Sequence, residues 1–480
     1  MESINILSQF NAIIITLLIS IVFLVIGIIY SKNSSDLKNY LVANRSIGTF
    51  SLSASFISSA LGSWILFGPS SAATWGGIGA VIGYSLGTAF PLFFLIHLGK
   101  EFRTQYPKGQ TLFEVINLKL GYNLFRLILL LSFFYMTIFL IAEVTAVSLL
   151  IRYLSGTDLW ITSLIILSCS LIYTLYGGLR ASIITDNIQF FIFLIILIIS
   201  FYYLISLKGI PFDISIIKEN KPELLSINYT SNFTSGLTFF IAVAATNLFH
   251  QGNWQRVYAA KTDNVLKKSL IVSFIFIIPV VFIMGFSGLV SVSIDPSVLP
   301  DLAFFALLLK EGNLYFLSSI IIFLAISLTV GTIDTIINAI SSLVIVDGNK
   351  FIKVKGDFIK LAKLIMILLC IITFIIASKG FSILYLFLLA DLFCCAAVLS
   401  IFYNFYKKPL SQKNIYMAII LGLVGGLLFF PSPDFSKSML VGGLIPSSFF
   451  PELVKNSLLF WSFLIATFLP ILFWKVNLRK

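Results

Sequence analysis

Apolar positions along this chain neither alternate nor recur in a helical stripe; they run on without a break. Stretches such as "WITSLIILSCSLI" (160–172) and "FFIFLIILIISFYYLI" (190–205) are nearly pure hydrocarbon. About 20 such residues in a row fit a helix that crosses a bilayer. Polar breaks divide the chain into thirteen expected spans, near 11–30, 50–74, 79–99, 127–150, 160–176, 184–206, 234–252, 269–293, 316–346, 362–378, 381–405, 415–431 and 456–474. Alternating ten-residue strands are absent, which leaves helices, since lipid tolerates only helices and closed barrels. The pattern therefore predicts an all-α polytopic membrane protein.

Two of the expected spans are too polar for simple lipid-facing helices. "SLSASFISSALGSWILFGPSSAATWGG" (51–77) is rich in serine and glycine and carries Pro69; "SGLTFFIAVAATNLFHQGNWQRVYAAK" (235–261) gathers Asn247, His250, Gln251 and Asn253. Unpartnered polar groups in hydrocarbon are costly, so both segments must face protein, water or a ligand. Interrupted segments at matching positions in two halves point to a midplane binding site. The second lies five spans after the first, which suits two five-helix repeats of inverted topology (50–206 and 234–405). A leading helix (11–30) precedes them and two trailing helices (415–474) follow, all in one transporter domain over 1–480. The alternative for the glycines and serines is close helix packing alone.

Composition agrees and adds orientation. Of 480 residues, 59% are hydrophobic and 11% charged, with a mean hydropathy of +1.03. Alternate loops, with the residues flanking them, hold 24 of the 32 basic residues. By the positive-inside rule this places the N-terminus outside and the C-terminus in the cytoplasm of a cell membrane. The net charge of +12 is then an inner-face bias rather than a nucleic-acid footprint. The first span lacks a small-residue cleavage site and reads as a retained helix. Four cysteines, all inside spans and none in a CxxC pair, and two histidines make a metal or redox centre a poor reading. No nucleophile–base constellation or cofactor motif suggests an enzyme.

The stretch "YTLYGGLRASIITDNIQ" (173–189) interrupts hydrocarbon with two glycines, Arg180, Asp186 and Gln189. Locally, Gly177 and Gly178 read as a helix end, Arg180 as an anchor, and Asp186 with Gln189 as a capping box. Asp186 also opens an apolar run, where a carboxylate costs roughly 2.5–3.5 kcal/mol unless compensated. The Gly-Gly-Leu-basic run followed by Thr-Asp-x-x-Gln resembles the signature of the sodium:solute symporter family, the proline, galactose, sialic acid and urea carriers. That resemblance implies a LeuT-like core of ten helices in two inverted repeats with broken first helices, and sodium-coupled alternating access.

Residue by residue, "FLAISLTVGTIDTIINAISSLVIVD" (323–347) resembles the family's sodium-binding helix. The resemblance assigns a sodium site to the Thr332 hydroxyl and the carbonyls of Leu328, Ser58 and Leu61. Gly331 departs from it by lacking a usual hydroxyl. A second sodium site is expected from Asp186, Asp334 and Thr335; back-bonding to their own helix is the other account of the two threonines. Sodium, an oxygen-seeking ion, is the implied co-transported partner, with no organic cofactor.

For the solute, Glu143, Asp391, Asn247 and Gln251 can all accept hydrogen bonds from N–H groups. Trp64, Phe67 and Trp254 offer flat walls, although core packing suits them equally. The run "NLFHQGNWQRVYAAK" is similar to the urea-carrier branch, so urea or a related amide or amine is the expected solute, with proline, other amino acids or an organic acid as alternatives. His250 is a candidate solute contact or proton relay. A proton-driven symporter of the same fold and a membrane solute sensor are the rival readings. A monomer and a homodimer remain equally open.

Overall fold

The computed structural model describes residues 4–31, 37–206, 214–309, 314–351, 358–406, 410–433, 435, 437–438 and 457–478. Among them there are helices and two isolated bridges but no β-ladder. The long helices are α1 (Gln9–Ser31), α2 (Thr49–Ala60), α3 (Gly68–Gln105), α4 (Leu112–Leu120), α5 (Tyr122–Ser155), α6 (Leu159–Ser206) and α7 (Thr230–Phe249). They continue as α8 (Gln251–Ala259), α9 (Asp263–Ile294), α10 (Leu314–Ser342), α11 (Phe358–Ala377), α12 (Ile383–Tyr406), α13 (Gln412–Phe429) and α14 (Leu458–Leu478). Ten helices among the described residues are long and apolar enough to cross a membrane.

All thirteen expected spans fall on helices, but two boundaries differ from expectation. The spans 79–99 and 184–206 are not separate rods. Each is the second limb of a helix that bends sharply, α3 at Gly77 (φ +56°, ψ −156°) and α6 at Gly178 (φ +57°, ψ −159°). A positive φ with an extended ψ costs glycine little and would strain any side chain, so these two glycines let the chain turn sharply with no loop. In consequence Asp186 stands two turns inside the second limb of α6 and caps nothing, which removes the capping-box reading.

Packing sorts the helices by depth. α10 and α12 bury 78% and 83% of their most apolar windows, whereas α1, α11 and α13 bury 33%, 28% and 28%. The first two are the centre of the bundle; the other three turn most of their surface to lipid. α3 lies along both α7 and α9, α6 along α1 and α10, and α12 along α5.

The two ends of the bundle differ. At the end holding the α9–α10 connection, a cavity of about 500 Å³ opens between Trp75, Asp301, Leu384, Pro431 and Phe435. Burial pushes the Asp301 carboxyl up from its ordinary value, against the lowering effect of a 3.0 Å bond from the Ser71 hydroxyl. The opposite end is sealed. Arg103 bonds Asp263 (2.8 Å) and the Val257 carbonyl (2.9 Å), Arg45 bonds the Gly109 carbonyl (2.7 Å), and Thr111 bonds Asp347 (2.8 Å).

Candidate cation and solute sites

Both polar segments are broken helices. α2 ends at Ala60, and its last ladder bond runs from the Leu61 amide to Ile57 (2.9 Å). Leu61 (ψ 77°) and Gly62 (ψ −175°) leave the helical region, and a 3₁₀ turn over Ser63–Leu66 leads into α3. Pro69, in the first turn of α3, has no amide to continue a ladder. Carbonyls from Ser58 onward are thereby released from the helical ladder of α2. The second break is His250 (φ −63°, ψ 107°), between α7 and α8. There Trp254 and Asn253 donate to the Leu248 and Asn247 carbonyls (2.8 and 2.9 Å), and His250 Nδ1 accepts the Gly252 amide (3.1 Å). That acceptor role fixes the imidazole as neutral with its proton on Nε2.

α10 faces the first break. A methyl placed on Gly62 would lie 2.5 Å from Thr332 Oγ1 and would overlap Glu143 Oε1. Thr332 and the unwound backbone are therefore neighbours. The Thr332 hydroxyl donates to the Leu328 carbonyl (3.1 Å), yet its lone pairs remain to be shared. Ser58 is held by a 2.8 Å bond from its hydroxyl to the Asp186 carbonyl. At Gly331 a side chain would overlap Gln189 Oε1. The carboxamide of Gln189 fills the place of the missing hydroxyl, and both its polar atoms are buried without a hydrogen-bond partner.

Asp186 and Thr335 meet, but around an arginine the sequence reading had not assigned. Arg256 Nη2 lies 2.7 Å from Asp186 Oδ2 and 2.9 Å from Thr335 Oγ1; Nε donates to Ser55 Oγ (2.8 Å) and Nη1 to the Gly252 carbonyl (3.1 Å). Arg256 and Asp186 both have 0% exposed side chains. Asp334 accepts the hydroxyls of Tyr173 (2.8 Å), Ser182 (2.9 Å) and Thr185 (3.1 Å), and that of Thr335 (3.3 Å), which joins it to the Arg256 cluster. The signal for Arg256 was present in "NWQRVYAAK", a charge following an apolar span, but its partner is 70 residues away.

The solute candidates separate into two groups. Asp391, Asn247, His250 and Trp64 line one narrow cavity of about 40 Å³, together with Tyr84, Phe139, Thr246, Asn253 and Phe387. Thr246 donates to Asp391 (2.6 Å), and Trp64 stacks on Tyr84 with centroids 5.5 Å apart. Phe67, Gln251 and Trp254 lie outside its walls. Phe67 packs on Phe305 and Trp254 on Phe102, both core contacts. Gln251 accepts the Leu112 amide and bonds the Gln110 carbonyl at the sealed end. Glu143 also stands apart from the cavity. Its Oε2 accepts the Ser63 amide (3.0 Å) and hydroxyl (2.6 Å), capping the 3₁₀ turn.

Residues 40–422, around a frayed helix facing an oxygen-bearing one, match the model of the sodium:solute symporter family. The chain belongs to that family. Membership makes this symporter a membrane transporter of the sodium-coupled class and not an enzyme. It is 26% identical over 383 residues to the spermidine transporter DUR31 of Candida albicans, covering 78% of this chain and 71% of that protein. Its fold is similar to that of a sodium-coupled sialic acid symporter in a substrate-bound outward-open state. That alignment spans 98% of this chain and 97% of the other, with a TM-score of 0.69 and 16% identity. Mhp1, a nucleobase-cation-symport-1 family transporter in a closed conformation with bromovinylhydantoin bound, aligns at a TM-score of 0.55 and 13% identity, over 92% and 96% of the two chains. The architecture is the LeuT-like one, with a core of inverted repeats whose first helices are broken.

Proposed function

We propose that this symporter carries a small protonated amine into the cell, driven by one sodium ion bound between the α2 break and α10. The observation that carries the reading is Asp391, a buried carboxylate in a cavity walled by Trp64, Tyr84, Phe139 and Phe387 and lined by no lysine or arginine. A carboxylate among aromatic faces suits an ammonium group, through a charge-assisted hydrogen bond and cation–π attraction. The spermidine transport ascribed to the Candida relative supports the same class. Urea, the first-named solute of the sequence expectation, is the second reading, favoured by the carboxamides of Asn247 and Asn253 beside Asp391.

Sodium at the main site would use Thr332 and the carbonyls of Ser58, Leu61 and Leu328, with Gln189 Oε1 in the place left by Gly331. The break at Leu61 and the orientation of Thr332 toward Gly62 support that assignment. At the second site, Arg256 already sits among Ser55, Asp186 and Thr335 as a built-in cation, which supports a single sodium per cycle. Residues 50–206 and 234–405 act as the two repeats, with the N-terminus outside. The open 500 Å³ cavity then faces outward and the Arg103–Asp263 end faces the cytoplasm.

Uptake into proteoliposomes tests the reading. Labelled putrescine, spermidine, urea and proline are offered under separate sodium, proton and potassium gradients. An amine accumulating with sodium alone is the expected result. Uptake indifferent to sodium removes the driving ion, and urea accumulating in place of the amines removes the solute class.

A further inference from the structure

One oxygen of Glu143 is employed and the other is idle. Glu143 is 0% exposed, and while Oε2 takes both bonds from Ser63, Oε1 has no hydrogen-bond partner. Leaving a buried carboxylate oxygen bare is costly, because its lost hydration is replaced by nothing. If Glu143 existed to cap the 3₁₀ turn, a neutral amide oxygen would accept the same two hydrogens without that cost.

The idle oxygen is aimed at a particular place. It and Thr332 Oγ1 crowd the same point beside Gly62, where even a methyl group has no room. Two side-chain oxygens that both reach one point beside an unwound backbone are a pair of donors that a small hard cation can share. Arg256, a fully buried basic group, is engaged with Asp186 and Thr335.

We infer that Glu143 Oε1 is a direct ligand of the transported sodium ion, completing the Thr332 site with a carboxylate. The inference rests on the assignment of the main cation site given above and adds the ligand that supplies its negative charge. The loaded site is then electrically neutral. The carboxylate also links the ion to the turn that leads toward the solute cavity, since Ser63 on its other oxygen precedes Trp64, a wall of that cavity.

Sodium binding to the purified protein in nanodiscs, followed by tryptophan fluorescence, tests this with Glu143→Gln and Thr332→Ala. Glu143→Gln keeps an acceptor for Ser63 and is expected to raise the half-saturating sodium concentration by about tenfold or more (about 1.4 kcal/mol). Wild-type affinity in Glu143→Gln beside a weakened Thr332→Ala overturns the inference and leaves the main site standing. Wild-type affinity in both removes the site itself. The native protein supplies a second measurement that needs no variant. Dicyclohexylcarbodiimide, an apolar reagent for buried carboxyls, should label Glu143 in potassium and be held off by sodium, as read by peptide mass spectrometry. Equal labelling in both salts, or protection by putrescine without sodium, overturns the inference.

Discussion

A guanidinium with no exposed surface is tolerable only because each of its nitrogens is spent on Asp186, Ser55, Thr335 or the Gly252 carbonyl. Removing one partner of such a pair leaves a bare buried charge, so Arg256→Met should cost about 3–5 kcal/mol of stability. Replacing both in Arg256→Met with Asp186→Leu should return most of it, and melting curves of the two proteins in detergent check the difference. Asp391, on the proposed reading, serves the solute instead. Asp391→Asn preserves the Thr246 bond but removes the charge, so KM for an amine should rise about tenfold to a hundredfold while the melting temperature stays put. An unchanged KM would move the ammonium elsewhere.

Among the elements, the two interruptions matter more than any intact helix. Both were legible in the sequence, because serine, glycine and proline at 51–77 and amides at 247–253 have no business in a lipid-facing span. The thirteen spans were legible for the same reason, through the length and apolarity of each run. What the sequence left hidden is long-range. The Gly77 and Gly178 bends look like loops in one dimension, and Asp186 looks like a cap until its helix is seen to begin far earlier. Trp254 and Phe67, grouped with the solute residues by proximity to the breaks, turn out to pack on Phe102 and Phe305. Helical direction decides which way a side chain points, and an irregular turn erases the periodicity that would reveal it. Gly62 lies in such a turn. Gly62→Ala would press a methyl onto Thr332 Oγ1 and Glu143 Oε1, so the protein should reach the membrane in normal amount and lose sodium-dependent uptake. Surface biotinylation beside a transport assay separates the two effects.

For the whole molecule, the arrangement has one end open and the other fastened. The fastening is modest. Asp263 is 41% exposed, so its pair with Arg103 is worth at most about 1 kcal/mol. Arg103→Ala should thus shift the balance between outward and inward forms by up to about fivefold rather than abolish cycling. Labelling rates of a cysteine placed at Ser341, in the closed end, would report that shift. The energy available sets the scale of the work. One sodium crossing about 100 mV releases about 2.3 kcal/mol, and a tenfold gradient adds about 1.4 kcal/mol. A single ion therefore supports a few-hundred-fold accumulation of a neutral solute, and an amine's own charge adds to it.

A sodium ion held among Ser55, Asp186 and Thr335 could dissociate on either side of the membrane and slip through without solute. A cation covalently bound to the backbone, like that of Arg256, can neutralise those oxygens but can never be released to either compartment, so on the proposed one-sodium reading that cluster contributes no uncoupled current. On the proposed assignment, sodium slipping through the empty transporter would pass by Thr332.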